Sequence, residues 1–296
     1  MSNLLRLACA QIHVSADKQA NIATACSQVA AAAAAGAHML ALPECWNSPY
    51  AVTAFPDYAE HIPAVGTALA ASSAYDDTCP SLAAVARAAA EHRMWVVAGS
   101  IPERSGDGSL YNTAAVLSSD GTLIAAHRKM HLFDIDIPGA ITFKESDSLQ
   151  PGSAVTTFDT PWGTAGLAIC FDMRFPELAA AMVQAGARLL FYPGAFNTTT
   201  GPMHWELLAR ARAVDSQCWL AAVSPAQDCE AGYVAYGHTI LVDPWGQVVE
   251  QAGTDAALLV QEVDMDEVAR VRERIPLAAP RQAAAARLAA GRPDRA

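Results

Sequence analysis

Three short stretches place reactive side chains at points where apolar runs give way to turns. In GLAICFDMRFPEL, Gly166 to Leu178, an apolar run leads straight into Cys170, and a polar, turn-prone segment and then a helix follow. A thiol at such a strand-to-helix corner is open from one side, and the next backbone N–H groups point toward it. Those donors can lower a thiol pKa and form part of an oxyanion hole. A buried structural cysteine fits the same local pattern.

Two further stretches supply charge. In LALPECWNSPY an apolar strand stops at Pro43 and delivers Glu44 at its C-terminal end. Burial there raises a carboxyl pKa and suits it to act as general base for a thiol. In HRKMHLFDIDIPG a hairpin strand ends in basic-capable residues around Lys129, followed by an apolar-acidic loop that is unusual for a solvated face. A lysine held near a reacting carbonyl stabilises the oxyanion of a tetrahedral intermediate. Glu145, in ITFKESDSLQPG, is placed to hydrogen-bond Lys129 and to position an amide. Taken singly, an ordinary loop Glu44, a surface Lys129 and a capping Glu145 fit as well. The force of the reading lies in the combination of base, cation and nucleophile.

The elements that must position these groups alternate along the chain. Strands are expected over Leu5 to Ile12, Met39 to Leu42, Trp95 to Ser100, Leu189 to Tyr192 and Trp219 to Ser224. Helices are expected over Lys18 to Ala35, Ser81 to His92, Phe175 to Ala185 and Met203 to Asp215, with Asp264 to Arg274 as the last. Asp120-Gly121, Pro161-Trp162-Gly163 and Asp243-Pro244-Trp245-Gly246 each join two short strands. Such βαβ alternation mixed with hairpins predicts an α/β protein with mixed sheets covered by helices. Residues 1–280 read as a single domain, and the Ala/Arg-rich tail 281–296 as a short helix, a partner-contacting arm or a frayed, disordered end.

Composition narrows the function classes. The chain has 296 residues, a formal charge of -11 and 52% hydrophobic residues, enough for a sizeable core. The acidic balance argues against nucleic acid and anionic membrane as partners. No secretory leader opens the sequence, and the Ala-rich run from Val29 to Leu42, interrupted by Gly36 and His38, is too short to span a bilayer. A cytoplasmic protein is therefore expected. Seven cysteines without a C-x-x-C pair point away from a disulfide framework and a structural zinc site. The eight histidines show no metal spacing, and His127 and His131 read as neighbours that pack around Lys129.

A glutamate after a strand, a lysine after a hairpin and a cysteine at a strand–helix corner, in that order, resemble the nitrilase superfamily of carbon–nitrogen hydrolases. The likeness runs from Ala8-Cys9-Ala10-Gln11 to about Pro276. Within the superfamily, LPECWNSPY, RKMHLFDIDIPGAITFKES, CFDMRFPEL, YPGAFNTTTGPMHWELLARARAVDSQ and YGHTILVDPWG resemble the ω-amidases. The segment from Val65 to Pro80 is longer than in that pattern, and the tail after Ile275 is richer in alanine.

The resemblance implies a four-layer αββα sandwich, homodimers or higher homo-oligomers, and no metal or organic cofactor. It implies a Glu44, Lys129, Cys170 triad with Glu145 beside it. It further implies hydrolysis of the terminal amide of 2-oxo diacid monoamides through a cysteine thioester, with Lys129 and the Phe171 N–H at the oxyanion. Arg174 would take the far carboxylate of such a small-molecule substrate, Phe196 would line the pocket and Tyr50 would offer a hydroxyl. A structural salt bridge from Arg174 to Glu177 is the competing reading. His204 and Glu206 are expected to hold their helix rather than to act chemically. An amidase of the deaminated-glutathione type, a true nitrilase and a non-catalytic scaffold of the same fold are the alternatives.

Overall fold

Along the strand Leu4–Gln11, Leu5, Leu7 and Cys9 pack into one cluster of side chains and Ala8 and Ala10 into another, and all are buried. A strand covered on both faces has to lie inside a layered sandwich. The computed structural model, which describes residues 3–139 and 141–290, has that form.

The first sheet runs in the order Ala257–Asp264, Leu4–Gln11, Met39–Ala41, Trp95–Arg104, Leu110–Leu117, Leu123–Arg128. The second runs Val248–Gln251, Ile240–Val242, Trp219–Val223, Leu189–Pro193, Gly163–Leu167, Thr156–Thr160. Each has three parallel central strands flanked by antiparallel ones. The inner faces share one core: Leu5, Leu7, Met39 and Val97 with Leu167, Leu190 and Leu220. Helices Lys18–Ala34 and Pro80–His92 cover the first sheet through Ile22, Ala25, Val29, Leu82, Val85 and Ala89. Helices Pro176–Gln184 and Gly201–Ser216 cover the second through Leu178, Met182, Ala209 and Ala213. The result is the expected four-layer αββα sandwich.

Local sequence explains where the elements begin. Asp17 caps the first helix by accepting from the N–H groups of Gln19 and Ala20. Pro80 and Pro176 open their helices at positions where a missing N–H removes no intrahelical bond. Gly99, with φ +59°, lies so close to the Glu44 loop that a Cβ there would stand 2.1 Å from the Pro43 carbonyl oxygen. Ser100 holds the same loop: its N–H donates to the Pro43 carbonyl at 3.1 Å, and its hydroxyl accepts from the Cys45 N–H at 3.1 Å.

Three features differ from the sequence-based expectations. The segment after Lys129 is a two-stranded hairpin, Asp134–Ile137 with Ile141–Lys144, rather than a loop. The strand Ala257–Asp264, not anticipated, pairs along the whole of Leu4–Gln11. Asp266–Arg274 is not the last helix, because Ala278–Ala290 follows it, so residues 281–290 of the tail are helical and 291–296 lie outside the described residues. Val65 to Pro80 lies over the Asp120-Gly121 turn at the edge of the first sheet, where Gly66 N–H donates to Leu123 O at 2.7 Å and Leu69 is buried. Among the described residues no helix is long and apolar enough to cross a membrane.

Candidate active site

The parallel central strands point their C-terminal ends toward one place, where open α/β sheets gather functional groups. Met39–Ala41 leads to Glu44, Gly163–Leu167 to Cys170, and Leu189–Pro193 to Ala195 and Phe196. Lys129 follows the last strand of the first sheet, and Glu145 follows the hairpin beyond it.

The sequence-expected charged groups meet there. Lys129 Nζ lies 2.9 Å from Glu44 Oε1 and 2.9 Å from Glu145 Oε1, and all three side chains are buried. Glu44 Oε1 also accepts from Asn112 Nδ2 at 2.8 Å, and its Oε2 from the Ala195 N–H at 2.7 Å. Glu145 accepts from the Tyr50 hydroxyl at 2.7 Å and from the Phe133 N–H at 2.7 Å. The Cys170 thiol is buried beside the Glu44 carboxylate, close enough for the charge of Glu44 to act on it. The backbone at Cys170 is left-handed, φ +46°, between extended Ile169 and a 3₁₀ turn over Cys170–Arg174. Strained conformations of this kind persist where the surroundings over-determine them.

One buried cation between two buried carboxylates sets the protonation states. Burial works against the Lys129 ammonium, but Glu145 and then Glu44 outweigh it and hold its pKa well above the ordinary value. Burial pushes the Glu44 carboxyl up; Lys129 opposes the rise and Glu145 adds to it. Burial, then the negative charge of Glu44, pushes the Cys170 thiol well up. The lowered thiol pKa expected from backbone donors is therefore reversed: desolvation beside a carboxylate dominates. The thiol of Cys170 is therefore held in its neutral form.

Around Cys170 a narrow pocket is lined by Phe133, Phe171, Arg174, Phe196, Thr200 and Tyr233 among others. Arg174 lies between two rings, its guanidinium carbon 5.4 Å from the Phe171 centroid and 4.8 Å from that of Phe196. It is bonded to His204 Nδ1 at 3.2 Å rather than to Glu177, and its Nε is buried without a partner. Glu206 pairs with Arg210 on the surface. Tyr50 stacks against Phe143 and lies tilted against Tyr233, and burial pushes its hydroxyl pKa well up, so it stays a donor. No residue of 65–80 lines this cavity.

Several participants were not singled out from sequence. Asn112, a polar residue inside an apolar strand, was the detectable one. The Ala195 N–H leaves no trace in side-chain pattern, and Tyr233 arrives on an irregular loop, bonded to Ala195 O at 2.6 Å. His127 and His131 do not simply pack around Lys129: both donate to Asp172, at 3.1 and 2.7 Å. Burial opposes the Asp172 charge, but these bonds hold its pKa well below the usual carboxylate range. Among the described residues no group of three His, Cys, Asp or Glu side chains is arranged to hold a metal ion.

Comparison with known proteins gives a consistent picture. The family model for carbon-nitrogen hydrolases matches residues 6–273. Omega-amidase NIT2 of Mus musculus is 52% identical over 272 residues, covering 92% of this chain and 93% of that protein. The Homo sapiens omega-amidase NIT2 is 50% identical with the same coverage. The crystal structure of Saccharomyces cerevisiae Nit3, a member of branch 10 of the nitrilase superfamily, superposes with a TM-score of 0.83 at 38% identity, covering 93% of this chain and 95% of that one.

Proposed function

Since the chain belongs to the carbon–nitrogen hydrolase family, we propose that it is an ω-amidase, releasing ammonia from the terminal amide of 2-oxo diacid monoamides such as α-ketoglutaramate and α-ketosuccinamate. The observation that carries the reading is the meeting of buried Glu44, Lys129 and Cys170 with Arg174 in the wall of the same pocket.

In this reading Glu44 accepts the thiol proton as Cys170 Sγ attacks the amide carbon. Lys129 Nζ and the Phe171 N–H stabilise the oxyanion. Glu44 passes the proton to the amide nitrogen, the C–N bond breaks, ammonia leaves and a thioester remains. Glu44 then takes a proton from water, whose oxygen attacks the thioester; the carbonyl re-forms, and the expelled thiolate recovers the proton as the oxo diacid departs. Glu145 holds Lys129 and, with Tyr50, orients the amide. A neutral resting thiol suits this cycle, because proton transfer and attack can be coupled once substrate has displaced water.

Arg174 would pair with the substrate's distant carboxylate, with Phe171 and Phe196 fixing its plane and His204 one of its N–H groups. Wild type should release ammonia from α-ketoglutaramate. Arg174→Met should lower kcat/KM for it by roughly 10- to 150-fold, the value of a charge-assisted hydrogen bond, mostly through KM, with little change for uncharged butyramide. A folded wild type inert toward α-ketoglutaramate would remove the assignment, and equal losses on both amides would remove the role of Arg174.

A homodimer belongs to the same reading. Met203, Leu207 and Val214, on one helix, are 58%, 64% and 47% exposed, and Gly246 of the Trp245 turn abuts Val214. An apolar row of this kind marks an association surface. Sedimentation should show Leu207→Glu as monomer beside a dimeric wild type; an unchanged dimer would place the contact elsewhere. Seven free thiols, most of them buried, suit a reducing cytoplasmic setting, and residues 1–280 are taken as one hydrolase unit.

A further inference from the structure

Asp172 is fully buried, and its two oxygens accept four hydrogen bonds. Oδ1 takes the His131 N–H at 2.9 Å and His131 Nδ1 at 2.7 Å. Oδ2 takes the Ile169 N–H at 3.0 Å and His127 Nε2 at 3.1 Å. A carboxylate only accepts, so both ring nitrogens carry their protons toward it. The far nitrogen of His127, Nδ1, lies 2.9 Å from the Thr156 hydroxyl, and the His131 ring lies flat on Phe175 at 3.6 Å.

The placement of these partners is the informative part. His127 and His131 flank Lys129 on one segment; Ile169 and Asp172 flank Cys170 on another. The segments belong to different sheets, and within this set of contacts one side chain ties both together. The bond from Ile169 N–H to Asp172 also closes the turn that keeps Cys170 left-handed. We propose that Asp172 is a positioning residue for the reaction: through His127, His131 and Ile169 it fixes the spacing and orientation of the Cys170 sulfur relative to the Lys129 ammonium. The attacking atom and the oxyanion partner thereby reach one carbonyl together. This rests on the amidase reading of Cys170 and Lys129.

Replacing Asp172 by Asn turns one acceptor oxygen into a donor facing N–H groups, so half of the clasp must open whichever way the amide is turned. A misplacement on the order of 1 Å is worth about 10²-fold in rate. Half-buried His131 allows a gentler pair of variants: His131→Asn keeps a donor near the position of Nδ1, and His131→Leu removes it.

The experiment measures kcat and KM for α-ketoglutaramate, with melting temperature, for wild type, Asp172→Asn, His131→Asn, His131→Leu and Cys170→Ala. The expected result is a kcat about 10²-fold lower in Asp172→Asn and at least about tenfold lower in His131→Leu, with recovery in His131→Asn and KM near wild type throughout. If Asp172→Asn does not fold, the His131 pair decides. Equal kcat in the two His131 variants, whether both fall or neither does, overturns the proposal, as does a folded Asp172→Asn with wild-type kcat. A rise in KM in place of the fall in kcat overturns it too. Turnover retained by Cys170→Ala would instead sink the amidase reading on which it rests.

Discussion

Lys129→Met should lose turnover and also lose about 3–5 kcal/mol of stability, the usual consequence of removing one partner from a buried ion pair. Lys129 is the cation between Glu44 and Glu145, each 2.9 Å from its Nζ and none of the three in contact with solvent. Without it, two buried carboxylates face each other, and at least one must take up a proton. The pH dependence follows from that. A carboxyl whose folded pKa is raised favours the folded state below its unfolded pKa, and this contribution disappears as pH rises through the folded pKa. The variant's deficit against wild type should therefore be smaller near pH 5 than near pH 8. Denaturant melts of both proteins at the two pH values test this; a deficit independent of pH would mean that the carboxylates are not what Lys129 offsets.

Cys170→Ala should reduce ammonia release by at least about 10⁴-fold, as nucleophile knockouts do, and leave the melting temperature close to wild type. The side chain is small, and removing a thiol beside Glu44 leaves no charge unpaired. Substrate should still raise the variant's melting temperature, because Arg174 is untouched. Mass spectrometry of quenched wild type should show the acyl adduct on Cys170, absent from the variant. If the variant kept a tenth of wild-type turnover, water would be attacking the amide directly and the thioester route would fall.

Much of this site was legible in sequence because each group stands where a strong apolar pattern stops. LALP ends in Glu44, GLAI ends in Cys170, and the hairpin strand through His127 ends near Lys129. The sequence also supplied the layered α/β architecture, since βαβ alternation mixed with hairpin turns leaves few other packings. The missing parts depend on contacts between distant segments. Asp172 reads as one more polar residue of a turn until His127 and His131 arrive from the other sheet. The Ala195 N–H on Glu44 has no side chain to signal it. Asp134–Lys144 alternates too briefly to announce a hairpin, and Ala257–Asp264 acquires its meaning only from a partner at the opposite end of the chain. The direction of the Cys170 shift was misjudged for a related reason. Local N–H donors are visible in a motif, whereas the burial that the completed fold imposes on the thiol is not.

That pairing of Ala257–Asp264 with Leu4–Gln11, from Leu4 opposite Asp264 to Gln11 opposite Ala257, dictates a schedule for synthesis. A ribosome adds about 5–20 residues per second, so the first strand emerges on the order of ten seconds or more before its neighbour exists. The strands of the second sheet are contiguous in the chain and can assemble as they emerge; the first sheet, which carries the Glu44 loop, is closed last. Translation stopped anywhere before Ala257 leaves that early strand with an open edge, the kind of template that recruits other chains. Closure of the sheet behind the Glu44 loop and protection of its edge therefore come together, once Ala257–Asp264 has emerged.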